Sequence, residues 1–139
     1  MSRKALQLVL SALGAVATAA GARGMVRGAA EVVDAGSYSS NVDSEYRFYA
    51  AWYHVAGLVL LRAARQPEDA TVAVRLFSGG LFAAACARLL SARTVGSPHP
   101  LQRLLMGLEF AIPVVLVPWQ RQVAVAANRG GFDRNGART

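Results

Sequence analysis

Within twelve residues the chain places Asp43, Glu45, Arg47 and His54 among five aromatic side chains, Tyr46, Phe48, Tyr49, Trp52 and Tyr53. The run 55–61 that follows is apolar. Charge is unfavourable in hydrocarbon unless it faces a partner or a wet cavity, so ionisable groups leading into such a run mark a candidate site. Two further groups stand in apolar surroundings: Arg88, and Glu109 between Leu108 and Phe110. A carboxylate and an imidazole in a greasy pocket can exchange protons with a lipophilic substrate, which makes Glu109 and His54 the candidate catalytic residues. Arg47 and Arg88 would then position an anionic or carbonyl group. Each has a plainer reading. Arg47 and Glu45 suit an interface, the aromatics suit a head-group belt, and His54 suits a structural hydrogen bond. Glu109 and Arg88 suit an ion pair that ties two helices together.

Other chemistries are excluded by what is missing. His54 and His99 are the only histidines and Cys86 the only cysteine, so a histidine-rich or thiolate metal centre and an intrachain disulfide are out of reach. No metal and no cofactor is expected. Cys86 reads as a small packing residue. HExxH, GxGxxG and P-loop patterns do not occur. Asp43 and Glu45 project to different sides of a helix, which argues against a carboxylate pair of the glycosidase kind.

The composition is 54% hydrophobic and 17% charged, with mean hydropathy +0.32; a soluble domain averages about 25% charged. The net charge of +7 is almost all arginine. These arginines sit between apolar runs with no basic helix face or stacking platform, a pattern for anionic lipid head groups and not for nucleic acid. The partners expected are the lipid bilayer, a lipophilic ligand, and a second copy or a partner membrane protein.

The positioning elements follow from the apolar runs. The pattern predicts an all-α integral membrane four-helix bundle over 1–120, with helices at about 5–22, 44–63, 70–92 and 101–119, and a mobile cytoplasmic tail over 121–139. The first run also fits a signal peptide cleaved after Ala17-Thr18-Ala19; a retained helix is preferred because three apolar segments follow. Gly14, Thr18 and Gly21 leave one side of it small enough for close approach. Residues 21–42 read as the longest loop, Asp43 or Ser44 as the cap of helix two, and Pro67 as a stop. Gly79, Ala83 and Ala87 form a second small-residue seam, and Pro113 a kink. Arginine and lysine bias places both termini in the cytoplasm of an inner membrane. Arg3, Lys4, Arg62, Arg65, Arg121, Arg129, Arg134 and Arg138 fall on one side, against Arg23, Arg27 and Arg93 on the other with Arg47, Arg88 and Arg103 at its helix ends.

The block 41–53, Asn-Val-Asp-Ser-Glu-Tyr-Arg-Phe-Tyr-Ala-Ala-Trp-Tyr, resembles the signature of small bacterial membrane proteins in domain-of-unknown-function family 4345. Arg75 to Gly80, Ala87 to Ser91, Gly96-Ser97-Pro98, and Glu109 with Pro113 add to the likeness, which covers most of Leu8 to Trp119. The resemblance implies a four-helix membrane protein loosely like the DoxX group, and no activity.

Helical geometry supplies a separate expectation. At about 100° per residue, Asp43, Arg47, Ala50, His54 and Leu58 share a stripe, as do Gln102, Glu109, Pro113 and Leu116. Counted from the outer interface, His54 would lie roughly 15 Å deep, Glu109 roughly 12–13 Å and Arg88 roughly 6–8 Å. Asp43, Glu45, Arg47, Trp52, His54, Arg88 and Glu109 are therefore the expected ligand-binding set of an outer-leaflet polar pocket. That pocket would hold a lipophilic small molecule or lipid, or serve an accessory subunit of a membrane complex. A small membrane enzyme using Glu109 and His54 is the alternative, and a transporter built from oligomers the third.

Overall fold

A computed structural model describes residues 2–32 and 36–136, with side chains through Arg129. Among them every regular element is helical: α1 (Arg3–Arg27), a 3-10 turn (Gly28–Glu31), α2 (Ser40–Ala63), α3 (Thr71–Thr94) and α4 (Pro100–Gly136). The fold is all-α. Three helical stretches, Arg3–Glu31, Thr71–Thr94 and Pro100–Arg129, are long and apolar enough to cross a membrane. Large apolar side chains stand bare along them, such as Leu8, Leu76 and Val114, each more than 70% exposed. Apolar surface on that scale is disfavoured in water and suits lipid, so the chain is a membrane protein. α2 has the length, 24 residues, but with two polar turns at its start it is not among those three.

The chain divides into two compact units, Leu10–Arg62 and Met1–Val9 with Ala63–Thr139. In the first, most of α1 packs antiparallel against α2 with backbones nearly touching. A Cβ added at Gly14 would lie 2.9 Å from the Leu61 amide nitrogen, and one at Gly21 2.7 Å from the Ala50 carbonyl oxygen. One added at Gly57 would strike Thr18. Real Cβ atoms do not approach backbone so closely, so this interface is available only to glycine. The small face expected of α1 is used as such, and Gly57 completes it from α2. The buried stripe of α2 runs through Ala50, Gly57 and Leu60; Leu58, placed on that stripe in the sequence reading, is 48% exposed.

In the second unit α3 and α4 lie antiparallel. Phe82 and Phe110 meet edge to face with centroids 5.5 Å apart, and Val74, Ser78, Leu81 and Ala85 form the buried face of α3. Gly79 has open space around its Cβ position and Ala83 and Ala87 are exposed, so the small seam expected there is not used in this packing. Cys86 is also exposed, because it stands one residue, about 100°, beyond the buried Ala85. Gly96, at φ 125°, makes the turn between these helices. His99 then caps α4 by accepting the Leu101 amide on Nδ1 at 3.2 Å, with Pro100 in the first helical position where its missing N–H costs nothing.

A polar knot closes the other end of this unit. Gln120, 2% exposed, donates from Nε2 to Thr71 Oγ1 at 2.9 Å and to the Pro67 and Glu68 carbonyls at 3.3 and 3.4 Å. Arg3 donates from Nε and Nη2 to the two Glu68 oxygens at 2.9 and 3.0 Å. The start of α1, the 64–70 turn, the start of α3 and the Gln120 level of α4 are thus held together. The Arg3 bond, with the residue's own amide second, holds the Glu68 carboxyl below its ordinary range. A lowered carboxyl favours folding above its unfolded value, and that contribution disappears as pH falls through the folded one.

Several boundaries differ from expectation. α1 runs five residues past 22 and continues into the 3-10 turn, because Glu31 reaches back to both Arg23 and Arg27; the long loop shrinks accordingly. α2 begins four residues before 44, capped by Ser39, whose Oγ accepts the Val42 amide at 3.3 Å. Asp43 cannot serve as that cap because it is engaged elsewhere. α4 continues through Pro113 and Pro118 to Gly136, so the chain stays helical where a tail was expected from 121. Residues 137–139 of that tail, and Asp34 of the loop, lie outside the described residues. The glycine interface generates the first prediction. Gly21→Ala or Gly57→Ala should lower thermal stability in detergent by about 1–3 kcal/mol. Gly79→Ala, with open space, should be neutral or stabilising by up to about 1 kcal/mol. Equal effects at all three, followed by circular dichroism, would contradict the packing.

Candidate functional site

In the α1–α2 unit the site residues build a clasp around the end of α1. Gly28 takes φ 64°, which turns the chain so that the Ala29 amide points at α2. Asp43 Oδ1 accepts that amide at 2.8 Å. Its other oxygen, Oδ2, accepts Arg47 Nε at 2.7 Å. Arg47 Nη1 donates to the Val26 carbonyl at 3.0 Å and also to that of Met25. The last carbonyls of an α-helix have no partner within it, and here one guanidinium satisfies two of them. A Cβ at Gly28 would strike Asp43 Oδ1 and come within 2.6 Å of Arg47 Nη2, so the glycine is required by both its conformation and its neighbours.

Two turns on, His54 Nδ1 lies 2.9 Å from the Thr18 carbonyl oxygen. A carbonyl only accepts, so Nδ1 carries the proton and the ring is fixed on α1. Tyr46 packs beside Gly24 of α1, while Glu45, Phe48, Tyr49 and Trp52 turn outward. Glu45 is exposed and has no ion pair among the described residues. Trp52, 62% exposed, stacks edge-on with Phe48 at 6.3 Å, and Tyr49 meets the same ring at 5.5 Å.

In the α3–α4 unit, Arg88 and Glu109 meet. Arg88 Nε donates to both Glu109 oxygens, at 3.0 and 3.2 Å, and Nη1 donates to Gln102 Oε1. The Glu109 side chain is 16% exposed and that of Arg88 40%. The guanidinium is therefore fixed along one edge, and Nη2 has no partner among the described residues. Pro113 has no N–H to donate to the carbonyl four residues earlier, which is that of Glu109. This leaves that carbonyl without its usual helical donor.

Of the seven expected residues, the structure joins Asp43 to Arg47 and Arg88 to Glu109, each pair within its own unit, while Glu45 and Trp52 join neither pair. The sequence reading missed Gln120. It also passed over the Met25 and Val26 carbonyls as the target of Arg47; Gly28 ahead of an acidic and a basic residue four apart was the available signal. Among the described residues no three His, Cys, Asp or Glu side chains gather into a metal site.

The clasp yields a prediction that separates it from an ordinary surface pair. Exchanging the charges, Asp43→Arg with Arg47→Asp, restores an i,i+4 ion pair, yet leaves the Ala29 amide without an acceptor and two carbonyls without a donor. The exchanged variant should melt as low as Arg47→Gln. Recovery to the wild-type melting temperature would reduce the clasp to a simple ion pair.

A family model described as Domain of unknown function (DUF4345) matches residues 5–120. Neither a curated protein nor a solved structure matches the chain.

Proposed function

The chain belongs to the DUF4345 family, and from that premise we propose that it is a membrane binding protein whose Arg88–Glu109–Gln102 cluster takes the polar end of a lipophilic molecule or lipid. One observation carries this reading: the Arg88 guanidinium is anchored by Glu109 and Gln102 but remains 40% exposed with a free edge. A purely structural pair needs no such edge. Leu105 lies one turn from both Gln102 and Glu109 on α4; it is 37% exposed and suits an acyl or isoprenoid chain. The paired carboxylate cancels the charge of the arginine, so the free N–H fits a carbonyl or a singly charged head group in a setting where an isolated cation would be unfavourable.

All four helices cross the bilayer in this reading, with α2 the polar partner of α1, and both termini lie on the cytoplasmic side of the inner membrane. The enzymatic alternative is less well supported, since both acid–base candidates are occupied: Glu109 by Arg88 and His54 by the Thr18 carbonyl. An accessory role fits the same cluster if a partner's polar side chain occupies the Arg88 edge.

Substitution separates ligand from framework. Arg88→Gln should cost about 1.5–3 kcal/mol, the value of hydrogen bonds to a charged group, and should abolish retention of any lipophilic molecule that native mass spectrometry finds co-purifying with the wild-type chain. Glu109→Gln with Arg88→Gln should recover most of the stability and none of the retention. Retention unchanged in a folded Arg88→Gln protein would overturn the proposal.

A further inference from the structure

α4 is longer than a membrane requires. Its 37 residues extend about 55 Å at 1.5 Å each, while roughly 30 Å of hydrocarbon needs about 20. The Gln120 knot to the Pro67 and Glu68 carbonyls, with Arg3 on Glu68, marks where the surplus begins. Charged and hydrogen-bonded groups of four segments collect at that level, as they do at an interface. The family match also ends there, at residue 120.

Just beyond, Pro118, Arg121, Gln122, Val125, Ala126 and Arg129 line an open groove of about 410 Å³. Arg121 and Arg129 are eight residues apart, about 12 Å along the axis and on one side of the helix. Both are exposed, and neither has a carboxylate partner among the described residues. Val125, 42% exposed, lies between them.

We propose that this groove docks an anionic phospholipid, its phosphate held by Arg121 and Arg129 and its glycerol region lying on Val125 and Ala126. The charge is complementary. An apolar strip between two cations matches the amphipathic boundary of a lipid, whereas a nucleic acid backbone would call for a longer row of cations. Both arginines of the site lie beyond the family match and apart from the Arg88 cluster, so either proposal can fail alone.

The test uses the full chain in nanodiscs of equal phosphatidylglycerol and phosphatidylcholine, with lipid retained on release counted by native mass spectrometry. Phosphatidylglycerol should be retained preferentially. Arg121→Gln with Arg129→Gln should lower that retention roughly thirtyfold, since each arginine near an anionic surface contributes about 1 kcal/mol. Arg93→Gln with Arg103→Gln, at the opposite end of the same helix pair, should leave it unchanged, and raised salt should displace the lipid from the wild-type chain. Equal retention of the two lipids, an equal loss in the Arg93/Arg103 control, or full retention in the Arg121/Arg129 variant whose helicity is unchanged would each overturn the proposal.

Discussion

Hydrocarbon offers no hydrogen bonds, and the organisation of this chain follows from that constraint. Every backbone and charged group at membrane depth must find its partner inside the protein. The helices satisfy most of the backbone, and three of the ionisable side chains among the candidate site residues are matched at short range. Arg47 has Asp43 and two helix-end carbonyls. Arg88 has Glu109 and Gln102. His54 has the Thr18 carbonyl. α2 depends most on this matching, since without it Asp43 and Arg47 in its first two turns would stand unpaired beside the end of α1.

Close packing and polar matching reinforce each other in the α1–α2 unit. Glycines at 14, 21 and 57 bring the two backbones together, and only at that separation does the imidazole of His54 reach the carbonyl of Thr18. Gly28 does the same for the clasp, where the turn that exposes the Ala29 amide also makes room for the Arg47 guanidinium. A larger side chain at any of these positions would therefore disturb hydrogen bonds as well as van der Waals contacts.

Much of this was legible in the sequence, for reasons that can be traced. Apolar run length revealed the helices, the small residues at 14, 18 and 21 revealed the tight face, and an isolated carboxylate between Leu108 and Phe110 required a partner, which Arg88 supplies. Other features were hidden. Arg47 has two backbone carbonyls among its partners, which leave no trace in side-chain spacing, and Asp43, offered with Ser44 as the cap, is taken by the Ala29 amide and Arg47 while Ser39 caps the helix. Small residues at 79, 83 and 87 carry the same spacing as a packed seam but stand exposed, because periodicity locates a stripe without saying what faces it. Polar residues after Trp119 resembled a tail, although arginine and glutamine are good helix formers and α4 continues through them.

The central proposal is that α2 crosses the membrane, so that Ser39 before it and Gln66 after it lie on opposite faces. The direct measurement is labelling of single cysteines, introduced at Ser39 and at Gln66 in the Cys86→Ser protein, with a membrane-impermeant maleimide on intact and on inverted cells. The account predicts labelling of Ser39→Cys from outside and of Gln66→Cys from the cytoplasmic side. Labelling of both from the same side would contradict it.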